Sequence, residues 1–441
     1  MNLVSLIEKA GIVGAGGAGF PTHVKFAGDA KYIIVNAAEC EPLLRVDQQL
    51  LIAYKNEILT ALQASREALG AKKAIIAIKG KHREAVACLE SAVSRVDGVE
   101  VFLLEDFYPA GDEQVTVYEA LKKIVPEGGL PIHVQTVVVN VETMLNIGNA
   151  MKDIPVTEKY LTVTGAVKNP VTVKVPVGIG ETEAIGLAGG PAVDAFAVIE
   201  GGPMMGKLID HERAVVTKTT KAYIVLPEEH RLIASRGKSM ERMLLEARIA
   251  CCHCSLRTEV CPRNLLGHRL RPDRLMRMAS YTPGFETDPC MDEALICSEC
   301  GLCEQACVMG LQPWKLNNYL KGKLGAAGIR RTDNRAPEKV SEFREYKKFP
   351  VKRLVNQLGL SKYDVPAPLK LSGTERFTRL RIALKQHVGV AAWPVVSVGD
   401  RIEKNQLIGD IPEGKLGAKV HSGIGGKVTG IDHDTIEIAR S

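Results

Sequence analysis

The sequence predicts an α/β domain, followed by a small β-rich module, a helical segment that carries cysteines, and an all-β domain at the end. Three observations predict this. Short apolar runs alternate with helical patterns over residues 1–150, eleven cysteines are present of which only Cys40 and Cys88 lie outside residues 251–307, and short strands with turn signals return after Gln386. With 441 residues, the chain is long enough for two to four such domains.

Four apolar runs predict the strands of a mainly parallel sheet in the first domain. They cover residues 31–35, 74–78, 99–104 and 134–139. The stretches between them, residues 50–69 and 82–93, have apolar residues at helical spacing and predict helices that connect the strands. The residues before the first strand include Leu3, Leu6, Ile7 and Ala10, also at helical spacing, and they lack the basic start of a secretory signal.

The later elements follow from composition and turn signals. Residues 160–177 alternate β-branched and other residues around Gly165 and Asn169-Pro170, which predicts a small β-rich module. Residues 201–206, GGPMMG, predict a loop, and residues 237–330 predict helices. Residues 331–375, rich in Lys, Arg and Pro, predict a linker or an extended segment that wraps the other domains.

Composition excludes several classes of function. A net charge of +6 is mild over this length, and 5% aromatic residues offer little for base stacking, so no nucleic-acid partner is expected. No apolar run approaches the ~20 residues of a membrane-spanning helix, so we expect no transmembrane segment and a cytoplasmic location. Clustered cysteines in such a protein favour metal binding over disulfides.

The downstream cysteine run predicts an iron–sulfur cluster. Residues 297–307, CSECGLCEQAC, have the spacing C-x2-C-x2-C-x3-C. Three thiolates from a tight loop can hold three corners of one cubane, and the fourth cysteine leaves toward a second cluster. Zinc is the alternative, but it takes two well-separated pairs of ligands and has no use for the third close cysteine.

The upstream run, residues 251–262, reads CCHCSLRTEVCP and has Arg257 in the place of the third cysteine. Since the fourth cysteine of each run serves the other cluster, one complete set is Cys261, Cys297, Cys300 and Cys303. The other set, Cys251, Cys254 and Cys307, is one ligand short. Cys252 could substitute; otherwise the second cluster has an open iron, has three irons, or is absent. We expect it to exist and to be atypical.

A glycine loop near the N-terminus predicts a phosphate site. Residues 14–26, GAGGAGFPTHVKF, contain G-x-G-x-x-G. A dinucleotide fingerprint needs a strand before the loop and a helix after it, whereas here a helical pattern precedes it and Pro21 follows. The loop can still cradle a phosphate with its backbone N–H groups, and Lys25 supplies a positive charge. A tight structural turn is the alternative.

With residues 31–42, KYIIVNAAECEP, this loop resembles the flavin-binding NADH subunit of respiratory complex I and its relatives. Residues 108–114, YPAGDEQ, and 139–143, VNVET, agree in the same order. The resemblance implies bound FMN with NADH stacked on it. The residues it implies for cofactor binding are Gly14, Gly16, Gly17, Gly19, Phe20, Lys25, Asn36, Glu39, Tyr108, Gly111, Glu113, Asn140 and Thr143. Phe20, Tyr108 and Glu113 are expected nearest the nicotinamide.

Three positions depart from that family. Ala15 stands for its arginine, Ala38 for its aspartate and Asp112 for its glutamate.

The resemblance extends along the chain. Residues 162–178 with GGPMMG are similar to the soluble-ligand-binding β-grasp (SLBB) module, and two ferredoxin-type motifs follow, as in the RnfC component of the Rnf ferredoxin:NAD oxidoreductase. In that component a barrel-sandwich module precedes the glycine loop, whereas here a biotinyl/lipoyl-like barrel sandwich ends the chain. Residues 421–426, HSGIGG, replace the carrier-lysine tip, so no covalent biotin or lipoyl group is expected.

This order identifies the chain as a member of the cobalamin reductases of propanediol-utilisation microcompartments, within the RnfC and complex I flavin-subunit superfamily. The implied domains are an FMN/NADH-binding α/β domain at 1–152, an SLBB β-grasp domain at 153–236, a ferredoxin-type 4Fe-4S domain at 237–330, a linker at 331–378 and a barrel-sandwich hybrid at 379–441.

The resemblance implies an oxidoreductase that passes electrons from NADH, through FMN and 4Fe-4S clusters, to cob(III)alamin or cob(II)alamin. Its chemistry is borne by the cofactors, so no catalytic side chain is expected. Implied partners are NADH, cobalamin or a cobalamin-handling enzyme, and microcompartment shell or lumen proteins. Three alternatives stay open: a component of a membrane Rnf-type complex, a microcompartment redox relay that does not act on cobalamin, and a binding module whose flavin pocket has decayed.

Overall fold

The first domain is a four-stranded parallel sheet with helices around it. The computed structural model describes residues 2–210, 213–331, 335–371, 373 and 376–440. The strands are β1 (Tyr32–Ala37), β2 (Lys73–Lys79), β3 (Val99–Leu104) and β5 (Thr136–Asn140), in the order β3-β2-β1-β5, and the short β4 (Phe107–Tyr108) lies outside this sheet. The helices are α1 (Leu3–Lys9), α2 (Thr22–Lys25), α3 (Val46–Ala53), α4 (Lys55–Ala68), α5 (Arg83–Val93), α6 (Glu113–Leu121) and α7 (Val141–Ala150), with a 3-10 turn at Pro131–Val134.

The predicted helix over residues 50–69 is two helices in the structure. Tyr54 lies between α3 and α4 with φ −129° and ψ 29°, outside the helical region. Its ring packs edge-on against Tyr160, with the ring centroids 5.9 Å apart. A contact with the next domain therefore accompanies the break, and no Gly or Pro marks it in the sequence.

The second domain is a six-stranded mixed sheet that also recruits a late strand. Its elements are β6 (Glu158–Gly165), β7 (Val171–Pro176), α8 (Glu181–Gly186), β8 (Phe196–Glu200), β9 (Lys207–Ile209) and β10 (Ala222–Pro227). The order is β12-β7-β6-β10-β8-β9, where β12 (Leu369–Leu371) comes from the predicted linker. β6 and β10 are parallel neighbours in the centre of this sheet.

A helical domain carries the cysteines. Its helices are α9 (Arg231–Arg236), α10 (Met240–Ala250), α11 (Leu256–Glu259), α12 (Pro262–Leu265), α13 (Pro272–Tyr281), α14 (Leu302–Gln305) and α15 (Pro313–Ala326), with 3-10 segments at Phe285–Thr287 and Pro289–Ile296. Helices α10, α13 and α15 pack around buried Met243, Leu275 and Leu320. None of the helices among the described residues has the length and hydropathy needed to cross a bilayer.

The segment after the helical domain binds back onto the first two domains. It contains α16 (Arg344–Lys347), β11 (Phe349–Pro350), α17 (Val351–Gln357) and a 3-10 turn at Ser361–Tyr363. β11 pairs with β4 of the first domain, and β12 extends the second. Of the predicted linker, residues 332–334, 372, 374 and 375 lie outside the described residues, as do residues 1, 211, 212 and 441 of the predicted domains.

The C-terminal domain consists of two small antiparallel sheets. Its strands are β13 (Arg379–Ala383), β14 (Trp393–Pro394), β15 (Arg401–Ile402), β16 (Leu407–Asp410), β17 (Val420–His421), β18 (Gly426–Ile431) and β19 (Thr435–Ala439). The orders are β13-β19-β18-β15 and β14-β16-β17. The domain shares one apolar core with the second domain, in which Ile382 and Ile436 are fully buried.

The C-terminal domain also reaches the start of the chain. The Val388 amide donates a hydrogen bond to the Gly19 carbonyl at 2.9 Å. Lys218 of the second domain donates to the carbonyls of Gly11 at 2.7 Å and Lys419 at 2.6 Å. Burial lowers the pKa of Lys218 to about 7. These contacts join the first, second and last domains beside the glycine loop.

Candidate functional site

A cavity of about 710 Å³ opens at the carboxyl end of the parallel sheet. Asn36 at the end of β1 and Asn140 at the end of β5 are register partners there, and both line the cavity. Ligands of open α/β sheets bind outside the carboxyl ends of the strands. The sheet topology therefore places this cavity where a nucleotide-like cofactor is expected.

Twelve of the thirteen residues implied for cofactor binding line this cavity. They are Gly14, Gly16, Gly17, Phe20, Lys25, Asn36, Glu39, Tyr108, Gly111, Glu113, Asn140 and Thr143. The exception is Gly19, which faces the other way: a Cβ atom there would lie 3.0 Å from Thr219 and 3.4 Å from the Cα of His387. Gly19 therefore belongs to the contact with the C-terminal domain and not to the cavity wall.

The glycine loop is closed by its own backbone. Gly14 N–H donates to the Phe20 carbonyl at 2.9 Å, and Gly19 N–H donates to the Gly14 carbonyl at 3.1 Å. Gly17 has φ +115°, and nothing lies within 4 Å of the position that its Cβ would take. Because Gly17 also lines the cavity, a side chain there would be strained and would add volume beside the site.

Lys25 is paired within the cavity wall. Its Nζ lies 2.7 Å from Glu113 Oε1 and donates to the Val138 carbonyl at 3.1 Å. The sequence suggested Lys25 as the counter-charge of a phosphate and Glu113 as a nicotinamide contact. The structure joins the two, so a phosphate would have to share Lys25 with Glu113.

Glu39 is a carboxylate with one orphaned oxygen. Its Oε1 accepts from the Asp47 amide at 2.9 Å, whereas its buried Oε2 has no partner. Desolvation, and next the Asp47 carboxylate, raise the pKa of Glu39 to about 7. A buried polar atom without a partner is costly in a native protein, and this one marks a place for a hydrogen-bond donor of a ligand.

Asp47 and Lys221 form the floor of the cavity, and no signal in the sequence pointed to either. Lys221 Nζ lies 2.6 Å from Asp47 Oδ1 and 3.6 Å from Glu142 Oε2, and Asn140 donates to Asp47 Oδ2 at 3.0 Å. Burial would lower the pKa of Lys221, but the Asp47 and Glu142 carboxylates outweigh it and raise that pKa. The network joins the first domain to the second.

A second buried lysine supports the glycine loop from below. Lys159 Nζ lies 2.5 Å from Glu142 Oε2 and donates to the Ala15 carbonyl at 2.9 Å. Thr143 Oγ1 accepts from the Ala15 amide at 2.9 Å. Where the family has an arginine, Ala15 therefore has both backbone groups held. Burial lowers the pKa of Lys159 to about 8, although Glu142 opposes this.

We expect Lys159→Met to destabilise the protein by about 3–5 kcal/mol, because removing one partner leaves a buried charge on Glu142. The free energy of unfolding, measured by denaturant titration, checks this. Lys174→Met is the matched control: Lys174 pairs with Glu158 at 2.6 Å on the neighbouring strand, but both side chains are partly exposed. Its expected cost is under about 1 kcal/mol. Equal losses in the two variants would contradict the prediction.

The loop GGPMMG of the second domain closes one side of the cavity. Glu41 accepts hydrogen bonds from the amides of Met204 at 2.9 Å and Met205 at 3.2 Å. A Cβ at Gly202 would lie 2.0 Å from Glu41 Oε2, so only glycine fits this approach. The sequence indicated a loop here but not its role as a wall of the site.

The cysteine-bearing domain forms the opposite wall. Arg263 pairs with Asp112 at 2.6 Å, and Ser298 and Cys300 line the cavity. Tyr108 Oη donates to the Cys300 carbonyl at 2.7 Å. Asp112, which replaces the family's glutamate, is therefore neutralised by the helical domain. The cavity and the downstream cysteine run share a wall.

The complete cysteine set converges next to this wall. Cys261, Cys300 and Cys303 are less than 9% exposed, and Cys297 is half-buried. Burial raises the pKa of Cys303 well above its usual range, and the charges of Cys297, Cys300 and Cys261 raise it further. The four thiols are thus electrostatic neighbours, as the ligand set of one cubane requires.

The incomplete set lies nearer the surface. Cys251 and Cys307 are half-buried against the helical core, Cys254 is half-buried, and Cys252 is exposed. Within the described residues, no three His, Cys, Asp or Glu side chains lie close enough to ligate a single metal ion. A cubane spreads its thiolates over four separate irons, so it does not require such an arrangement.

The cavity fits FMN on two observations. Its volume lies within the range of cofactor sites, and the orphaned Glu39 oxygen provides an acceptor inside it. The glycine loop, Asn36 and Asn140 would hold the group. The buried, sulfur-only environment of the complete cysteine set likewise fits an iron–sulfur cluster.

Four family models match the chain in sequence order. They are the Nuo51 FMN-binding domain at residues 7–149, the SLBB domain at 160–208, the 4Fe-4S dicluster domain at 250–312 and the RnfC barrel sandwich hybrid domain at 368–440. The predicted fold classes and their order are confirmed. FMN and 4Fe-4S clusters are confirmed as the cofactors of these domains.

Curated relatives match at full length and in part. The chain is 42% identical to the cobalamin reductase PduS of Salmonella typhimurium over 98% of this chain and 95% of the relative, and the PduS of Citrobacter freundii matches equally well. It is 34% identical to the RnfC-type component of the Na+-translocating ferredoxin:NAD+ oxidoreductase complex of Acetobacterium woodii, over 59% of this chain and 57% of that component.

A solved structure shares the fold. The NAD+-reducing [NiFe]-hydrogenase in its air-oxidised state aligns with a TM-score of 0.51 at 20% identity, covering 82% of this chain and 67% of that one. At this identity the likeness concerns the fold alone. Together with the family models and the curated relatives, it shows an NADH-linked flavin and iron–sulfur oxidoreductase architecture.

Proposed function

Because the chain belongs to the same family as the cobalamin reductase PduS, we propose that it reduces cobalamin, passing electrons from NADH through FMN and 4Fe-4S clusters to cob(III)alamin or cob(II)alamin. One observation carries the proposal. Tyr108 and Cys300 form a continuous wall, in which the flavin cavity and the complete cysteine set lie side by side.

The chain's own residues position the cofactors and tune them. When bound, FMN supplies the exchange between a two-electron hydride donor and one-electron acceptors. The N–H groups of Gly16 and Gly17 would receive its phosphate, and Lys159 holds the loop in place through the Ala15 carbonyl. Phe20 and Tyr108 line the side of the cavity where the nicotinamide would enter.

The upstream cysteines would form the exit of the electrons. Val308 and Met309, which follow Cys307, are 70% and 48% exposed. An apolar surface beside a half-buried cluster site supports contact with a partner. We propose that cobalamin or a cobalamin-handling enzyme is reduced there, and that the protein works with shell or lumen proteins of a bacterial microcompartment.

Cobalamin reduction by the purified protein tests the function. Protein prepared without oxygen, with flavin and iron quantified, is mixed with NADH and cob(III)alamin, and both absorbance spectra are followed. We expect NADH to bleach the flavin and the cobalamin spectrum to convert, with no other protein present. The matched control omits NADH. Bleached flavin with unchanged cobalamin would overturn cobalamin as the acceptor, while leaving the NADH-linked electron transfer intact.

The similarity to RnfC-type components of ion-translocating complexes supports a second candidate, an electron-transfer component of such an assembly. It predicts a different outcome in the same assay. The protein alone would reduce one-electron dyes, and ferredoxin in place of cobalamin, and it would co-purify with membranes.

A further inference from the structure

Arg257 occupies the place of the third cysteine in the upstream run, on helix α11. Its side chain is 1% exposed. Within the described part of the chain, its Nη2 donates to the Cys251 sulfur at 3.1 Å, while its buried Nε and Nη1 have no partner. The guanidinium thus points two free donors into the neighbourhood of the upstream cysteines.

A buried guanidinium without an anionic partner is unfavourable. Arginine stays charged in proteins, and an uncompensated buried charge costs several kcal/mol. The sulfides and thiolates of a cluster carry negative charge and accept hydrogen bonds. A cluster beside Cys251 would supply the acceptors that Nε and Nη1 lack.

The neighbouring cysteines differ in the direction they face. Cys251 and Cys307 pack against the helical core, whereas Cys252 is exposed. The Arg257 charge acts on Cys252 and Cys254 as well, which places the guanidinium among all the upstream thiols. Cys252 is therefore adjacent in sequence but turned toward solvent.

We propose that Cys251, Cys254 and Cys307 hold the second cluster with three thiolates, and that Arg257 donates hydrogen bonds to its sulfurs beside an iron that has no cysteine ligand. The inference rests on the proposed function for the presence of that cluster. It assigns Arg257 a positioning and tuning role and makes Cys252 dispensable for the cluster.

Two properties follow. Replacing a thiolate by a guanidinium makes the surroundings more positive, and positive charge with hydrogen bonds to the sulfurs favours the reduced form, so the reduction potential rises. An iron without a thiolate is also held less tightly. On oxidation the cluster loses this iron as Fe2+ together with one electron, which the oxidant accepts.

Ferricyanide oxidation of the anaerobically purified protein tests the ligand set. We expect the wild type to release about one iron per chain, as one corner of the cubane lacks its cysteine, and to gain the spin-resonance signal of a three-iron cluster. Cys252→Ser should behave identically. Arg257→Cys, which restores the four-cysteine spacing, should release none. Full retention of iron by the wild type, or loss of the second cluster in Cys252→Ser, would overturn the proposal.

Arg257→Gln tests the role of the charge. We expect the cluster to remain and its reduction potential, measured by redox titration with spin-resonance detection, to fall below that of the wild type. An unchanged potential would contradict the tuning role. Flavin bleaching by NADH, recorded on the same samples, separates the two claims. Bleaching without iron release refutes this inference alone, whereas unbleached flavin refutes the proposed function.

Discussion

Replacing Gly17 by leucine is expected to lower the flavin content of the purified protein at least about tenfold, since each 1.4 kcal/mol of lost binding is a factor of ten. Two effects add. Gly17 has φ +115°, a backbone conformation that side chains rarely adopt, and leucine would occupy part of the cavity that Gly17 lines. Flavin released by denaturation and quantified by fluorescence, per mole of chain, checks the result.

Gly70→Leu is the matched control for this variant. Gly70 also has a positive φ, +60°, and open space around its Cβ position, but it follows α4 and does not line the cavity. It should cost some stability and retain wild-type flavin content. A Gly17→Leu protein that is folded and fully loaded with FMN would show that the glycine loop does not bound the cofactor.

Replacing Cys300 by serine is expected to lower NADH-driven reduction of the terminal acceptor about a hundredfold or more, because even the loss of an outer-shell partner costs 10–100-fold. Serine lacks the soft thiolate that iron–sulfur clusters require. The flavin cavity should persist, since Tyr108 bonds to the Cys300 backbone carbonyl and not to its sulfur. The variant should therefore still be bleached by NADH while acceptor reduction fails.

Cys88→Ser controls for the loss of a thiol. Cys88 lies on α5 and accepts a hydrogen bond from Lys55 at 3.2 Å, outside both cysteine runs. Stopped-flow absorbance should give wild-type rates for it in both steps. A Cys300→Ser protein that reduces the acceptor at the wild-type rate would remove the downstream cluster from the path.

The sequence was informative wherever a local pattern decides the structure. The parallel strands follow from apolar runs, and strand Val99–Leu104 has the predicted limits. The glycine loop and the two asparagines at the strand ends were visible because backbone freedom and strand termini leave local signals. The cysteine spacing likewise predicted the cluster domain without reference to the rest of the chain.

Contacts between domains left no such signal. Lys221 and Asp47 are 174 positions apart and meet only because the second domain packs on the first. Arg263 pairs with Asp112 across 151 positions. Gly19 was expected in the cofactor site, but the C-terminal domain binds its carbonyl. Each of these residues looks ordinary in its own segment, and only the packing of distant segments assigns it to the site or removes it.

The hydrogen bond between Val388 and Gly19 has a consequence for how the protein is made. A ribosome synthesises Gly19 near the beginning and Val388 near the end, so the loop lacks this neighbour during most of translation. The nascent N-terminal portion can form its parallel sheet early, but the loop reaches its final surroundings only when the last domain has emerged. Insertion of the yellow prosthetic group is thereby linked to completion of the polypeptide, and a prematurely terminated chain would emerge with a loosened loop.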